Sequence, residues 1–268
     1  MILLSEIIQE MGLHDKPITN YTAYNAGMKK GMGDKAFFLK RIKPDFVLDF
    51  GCADGALIQS IRQEYPNIQC AGYDISSTME RHFKENNPDT PFFSNWEEAA
   101  NYAKKFHNSC VLLSSVIHEV YSYGNSKSVS KFWKDIFGSG FEYVVIRDTI
   151  PKGIDTIKDF KGDVAKVKKV VDPHLLNDYE SRWGTLESSY RNFIRFLLVY
   201  RYKDNWERES FENYLPLTYN TLVRKIPDSY KIIYDKSFKF KPVASAITKN
   251  YDITVRKDTH LKMIIRKK

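Results

Sequence analysis

The stretch Phe46-Val47-Leu48-Asp49-Phe50-Gly51-Cys52-Ala53-Asp54-Gly55 decides how the rest of the chain is read. An apolar run that ends in a carboxylate and breaks at once into small residues is the pattern of a buried parallel strand turning sharply into a helix. Gly51 and Gly55 allow positive φ and a close approach of a ligand to the backbone, and Ala53 adds only a methyl group there. Residues 56–62 then begin a helix whose N-terminal amides face the same cleft. A second apolar run, residues 68–73, ends in Asp74, where a doubly wound fold places the acid that accepts hydrogen bonds from a ribose diol.

This turn is not a dinucleotide fingerprint. A G-x-G-x-x-G loop carries a pyrophosphate over the helix N-terminus, whereas here the order is D-x-G-x-A-x-G with Asp49 and Asp54 around the glycines. Carboxylates in that place repel a pyrophosphate and suit a phosphate-free cofactor with a cationic amino-acid end. On these residues the sequence resembles the class I S-adenosyl-L-methionine (SAM)-dependent methyltransferases. Their first motif is an apolar strand, then an acid and D-x-G-x-G-x-G, with a second acid closing the next strand. The chain departs from the pattern at Ala53, where the family usually has glycine. The resemblance covers residues 20–150 and 215–268. It implies an α/β fold, a doubly wound seven-stranded and mostly parallel sheet with an α-helical insertion acting as a cap, and SAM as the cofactor. It places Asp49, Gly51, Cys52, Ala53, Asp54, Gly55, Asp74 and Ile75 around that cofactor.

Residues 1–13 have the spacing of an amphipathic helix, with Leu4, Ile7, Ile8, Met11 and Leu13 along one side. The segment that follows carries Tyr21 and Tyr24; read alone it is a capping helix pair, and the resemblance implies that these two aromatics wall the methionine end of the cofactor. After Asp74, Ser76, Ser77 and Thr78 offer a helix cap, and Phe92-Phe93 reads as a short third strand. Asn95 and Trp96 open a helix in the place where the family contacts adenine, so Trp96 either stacks on the base or anchors the helix in the core. Residues 109–115 form an apolar run without alternation, hence a strand buried on both faces, and end in the further cofactor candidates Ser114 and Ser115.

The continuation, residues 116–124, lies on the rim where open α/β sheets bind ligands. It is the family's fourth motif, which faces the methyl group, and it lacks the N-P-P-Y or D-P-P-Y of many enzymes acting on base amines and glutamine amides. His118 and Glu119 are the catalytic candidates: a hydroxyl acceptor needs a group to take its proton, an imidazole near neutrality suits the task, and Glu119 can orient it or take the proton itself. Tyr121 is an acceptor-side candidate. Arg147 and Asp148, closing a fifth strand, either touch the acceptor or pair with each other. In the helical insertion, residues 151–214, Arg191 and Arg195 lie one turn apart and either bind an anionic acceptor group or pair with nearby acids. The chain is thus divided into an N-terminal cap segment (1–45), a cofactor core (46–150), the acceptor cap (151–214) and a final helix with an antiparallel strand pair (215–268).

Among the 268 residues, Lys and Arg exceed Asp and Glu by 41 to 33, and the excess is uneven. Residues 46–150 hold 9 basic and 13 acidic side chains, whereas residues 231–268 hold 11 and 3. A basic C-terminal face attracts phosphate-bearing partners or is simply a solvated surface. Cys52, Cys70 and Cys110 have no metal-site spacing, so no metal is expected, and they fit a reduced, cytoplasmic protein. No membrane span or signal peptide is expected. A small-molecule acceptor under the cap is favoured over RNA on the basic segment, and a non-catalytic SAM-binding or partner-binding module on the same fold is the alternative of a different class.

Overall fold

The computed structural model describes residues 32–268; the helix expected at residues 1–13 and both Tyr21 and Tyr24 lie outside the described residues. Apolar runs form the strands β1 (Phe46–Phe50), β2 (Gln69–Tyr73), β3 (Phe92–Phe93), β4 (Ser109–Ser114) and β5 (Tyr143–Asp148). Later in the chain come β6 (Tyr230–Phe238) and β7 (His260–Lys267). Every residue of β1, β4 and β5 is buried, as strands covered on both faces must be, while β6 alternates and lies at an edge. The single sheet runs β3-β2-β1-β4-β5-β7-β6, with β1 parallel to β2 and β4, and β4 parallel to β5. The Lys267 amide donates to the Glu142 carbonyl and the Lys268 amide to the Ser229 carbonyl, so β7 finishes beside the starts of β5 and β6 and runs opposite to both. The chain leaves β1 in one direction for β2 and β3, then returns to place β4 on the other side. That reversal puts a crevice at the C-terminal tips of β1 and β4.

Short helical turns α1 (Met32–Lys35) and α2 (Leu39–Ile42) precede β1. The connecting helices are α3 (Ala56–Glu64), α4 (Ser77–Asn86), α5 (Trp96–Ala103), α6 (Ile117–Tyr123) and α7 (Ser126–Gly138). They cover the sheet through apolar stripes, such as Leu57, Ile58 and Ile61 of α3 and Phe83 of α4, which join Val47, Leu112 and Val145 of the strands in one core.

The chain divides into two compact units. The first runs to Asp148 and takes in Arg224–Asp235 and Lys262–Lys268; the second is Thr149–Val223 with Lys236–Leu261. The second unit contains α8 (Lys161–Lys168), α9 (Pro173–Trp183), α10 (Tyr190–Tyr200), α11 (Trp206–Glu209), α12 (Tyr219–Val223) and α13 (Lys241–Tyr251). It has its own core, in which Val164 and Val167 of α8 meet Phe193 and Leu197 of α10 and Val243 and Ile247 of α13. Helix α13 has no counterpart in the sequence reading, which leaves residues 241–259 without an element. Pro242 opens the helix where a missing amide costs nothing, and Val243 and Ile247, one turn apart, give it a face to bury.

Candidate active site

The loop after β1 is tied to the tip of β2 by two bonds: the Gly51 and Cys52 amides both donate to the Tyr73 carbonyl, at 2.8 and 3.1 Å. It turns by placing Gly51 (φ 73°), Ala53 (φ 47°) and Gly55 (φ 76°) in the left-handed region. A Cβ on Gly55 would sit 2.3 Å from Asn87 Nδ2 and 2.7 Å from the Phe83 ring, so position 55 has room for glycine alone. Ala53 holds the small left-handed basin that an L-residue can enter at some cost. Asp74 spans the crevice: one carboxylate oxygen accepts the Ala53 amide and the other the Ser76 amide, both at 3.0 Å. Asp74 is therefore fixed to both strand tips before any ligand arrives.

The neighbouring candidates serve the same loop. The Asp54 carboxylate accepts the Ala56 amide at 3.2 Å and so caps the start of α3, and Ile75, half-buried, follows Asp74. Cys52 is buried, and burial pushes its thiol well above the ordinary range, which leaves it a packing residue beside the turn. Asn95 accepts the amides of Glu97 and Glu98 and caps α5. Trp96 packs edge-on against both Phe50 and Tyr73 at 5.4 Å, among the aromatics that follow the tips of β1 and β2.

Two charges that the sequence does not mark, Asp34 and Lys35, complete the rim. Asp49 is 4% exposed, and burial raises its carboxyl to about 7, although the Lys35 ammonium pulls it down and Asp74 pushes it up further. Lys35, from α1, is itself buried; burial pushes its amine below the usual range against the attraction of Asp49. Asp34 next to it receives Arg147 through Nε (3.0 Å) and Nη2 (2.9 Å), and Lys262 on its other oxygen. Arg147 also donates to Ser115 Oγ at 3.3 Å, while the Ser114 hydroxyl is buried and has no hydrogen-bond partner among the described residues.

Beyond β4 the backbone bends through Ser115 (φ 59°) into α6. Asp148, at the tip of β5 and 1% exposed, receives the Ile117 amide on one oxygen and faces His118 Nδ1 with the other, both at 2.8 Å. A buried carboxylate there places the proton of the neutral imidazole on Nδ1 and the lone pair on Nε2, the arrangement of a general base. Consecutive strand residues point to opposite faces, and here Arg147 donates to Asp34 while Asp148 faces His118. Glu119 is half-buried on the same helix, and the Tyr121 hydroxyl accepts the Trp133 indole N–H at 3.0 Å.

A family profile described as "Methyltransferase domain" matches residues 28–151, the span of this site. The chain carries a class I SAM-dependent methyltransferase domain. Solved structures agree on the fold. The plantazolicin methyltransferase BamL, in complex with a triazolic desmethylPZN analog and S-adenosylhomocysteine (SAH), is 13% identical with a TM-score of 0.52, over 98% of this chain and 96% of that one. The plantazolicin methyltransferase BpumL with SAH is 10% identical with a TM-score of 0.50, over 98% and 95%. The MccD protein is 12% identical with a TM-score of 0.50, over 91% and 98%. No curated protein sequence matches the chain.

The methyltransferase site fits SAM on its own chemistry. The methionine end is a zwitterion, and the crevice offers a buried acid (Asp49), a buried cation (Lys35) and a hydroxyl without a partner among the described residues (Ser114 Oγ). Asp74, at the tip of β2, adds a second carboxylate to the crevice. When bound, SAM supplies a methyl group on a positively charged sulfur, the electrophile of the reaction.

The arginines of the second unit have partners within that unit. Arg191 forms a two-pronged pair with Asp155. Arg195 donates to Tyr179 Oη (2.8 Å) and Asn192 Oδ1 (2.6 Å) and lies 3.8 Å above the Trp183 ring. Such stacked, hydrogen-bonded guanidiniums hold α9 to α10.

Proposed function

We propose that this methyltransferase transfers the SAM methyl group to an oxygen or nitrogen nucleophile of a small molecule, with His118 taking the acceptor's proton at Nε2. The observation that carries the reading is the buried His118–Asp148 pair at 2.8 Å on the rim beside the cofactor turn. As the nucleophile attacks, its proton becomes acidic; the imidazole accepts it, and the Asp148 carboxylate stabilises the imidazolium that results. Glu119 is the second group on that helix able to orient an acceptor.

We assign acceptor recognition to the second unit, acting as a helical cap, because it is inserted after β5, where the family carries its lids. A small molecule is favoured over RNA on charge. Arg256, Lys262 and Arg266 of the basic C-terminal segment pair with Asp163, Asp34 and Glu142, which lowers the field a polyanion needs. The cytoplasm is the compartment we infer, since Cys52, Cys70 and Cys110 are free and buried. Among the described residues no helix is long and apolar enough to cross a membrane.

The test is transfer of labelled methyl from SAM to a panel of small molecules and, separately, to RNA. Azole compounds of the kind named for BamL head the panel. His118→Gln is expected to lower turnover by about 10²- to 10⁴-fold and to flatten the acidic limb of the pH profile while SAH affinity is retained. Unchanged turnover in that variant removes the base role. Methylation of RNA with a steep dependence on salt replaces the small-molecule acceptor.

A further inference from the structure

We propose that Lys35 binds the α-carboxylate of SAM, and that Asp34, gripped by Arg147 and Lys262, is the positioning residue that holds Lys35 over the crevice. The inference rests on SAM as the cofactor and is independent of the acceptor and of the role of His118.

The first support is place. Asp34, the residue before Lys35, is bonded to Arg147 at the tip of β5, and Lys35 itself is buried. A group next to that bond lies at the rim. There Ser114 closes β4 and stands opposite Arg147 in the strand register.

The second support is cost. Lys35 is 6% exposed and Asp49 4%, so each has lost most of its hydration, and each has its ionisation opposed by burial. Buried charged groups of this kind stabilise a fold poorly, and replacing them with apolar side chains is often neutral or better. The same two groups are the complement of an amino-acid zwitterion. A ligand ammonium set against Asp49 and a ligand carboxylate set against Lys35 would give each buried group an opposite charge.

The third support is independent of charge. Ser114 Oγ is buried and makes no hydrogen bond to any described residue, although a hydroxyl in that state costs about 1–3 kcal/mol. A carboxylate or ammonium bound at the tip of β4 would satisfy it.

The clamp explains why a lysine on a four-residue helical turn can be precise. Asp34 accepts Nε and Nη2 of Arg147 on one oxygen and pairs with Lys262 through the other, so β5 and β7 both hold the residue next to Lys35.

The experiment is calorimetric titration of the full chain with two ligands. One is SAH; the other is decarboxylated SAH, which keeps the ammonium and lacks the carboxylate. In Lys35→Met, SAH is expected to bind on the order of 10- to 100-fold more weakly, with no change for the decarboxylated ligand. Asp34→Asn, which keeps the Lys35 charge and loosens its hold, is expected to give a smaller loss confined to SAH, and it carries the test if Lys35→Met fails to fold. Equal losses for both ligands in either variant, or an undiminished affinity for SAH, overturn the proposal. A wild-type protein that binds neither ligand refutes SAM binding itself, which is a separate outcome.

Discussion

An unliganded Asp49→Asn variant should outlast the wild-type protein in mildly alkaline buffer and lose that advantage in acid. In the folded protein the Asp49 carboxyl is raised from 3.8 to about 7, chiefly because burial opposes its charge. Each unit of that difference corresponds to about 1.36 kcal/mol, so the ionised carboxylate disfavours the fold by about 4 kcal/mol once the pH is above both values. The sign follows from which state holds the proton. Below 3.8 both states are protonated and the full stability is present; between 3.8 and about 7 the unfolded chain has released its proton and the folded protein still holds it, so stability falls as the pH rises; above about 7 the loss is complete. An asparagine does not titrate, and the stability difference between variant and wild type should therefore grow by about 4 kcal/mol across that window, a large part of the 5–15 kcal/mol that separates most folded and unfolded states. Urea unfolding of both proteins without ligand, at about pH 4.5, 6 and 8, measures it. Curves that stay parallel would show that Asp49 is ionised throughout and that the buried-acid account of the rim is wrong. Adding SAH supplies a cation to the carboxylate, so it should narrow the difference at high pH by stabilising only the wild type.

Gly55→Ala should cost about 2–4 kcal/mol in thermal unfolding and remove SAH binding, because it forces an L-residue to φ 76° and a Cβ to within 2.3 Å of Asn87. Ala53→Gly is the paired control: relief of a left-handed alanine and loss of its stiffening of the unfolded chain are each of order 1 kcal/mol and opposite in sign, so stability and SAH affinity should stay close to wild type. Arg195→Ala should lower the unfolding midpoint by the equivalent of about 2–4 kcal/mol through the loss of its bonds to Tyr179 and Asn192 and its stacking on Trp183, with SAH affinity unchanged. A selective rise in the acceptor KM with no change in stability would instead return Arg195 to the acceptor site.

What the sequence discloses about this molecule and what it conceals are separated by range. The cofactor turn is legible because everything it needs is adjacent: an apolar run for β1, glycines where φ is 73° and 76°, and a following acid at the tip of the next strand. The sheet is legible for the same reason, since each fully buried strand announces itself as an unbroken apolar run. His118 is legible as a type of chemistry, but its partner is not. Asp148 looks paired with its neighbour Arg147 until the pleat sends the two to opposite faces, one to His118 and the other to an aspartate 113 positions away. Helix α13 is hidden by its own charge, because Lys241 and Lys249 make the segment read as solvated surface while Val243 and Ile247 serve a core built mostly from residues far upstream. Lys35 is the extreme case. Nothing in Gly33-Asp34-Lys35-Ala36 marks the lysine for burial, and its environment exists only once β1, β4 and β5 are side by side. Local preference and global environment agree through most of this chain, and they part at the rim, where a lysine, two aspartates and a buried serine without a partner among the described residues are held at a cost to the fold. A sequence retains that cost where a ligand returns it, so the residues least legible in the sequence are the ones to mutate first.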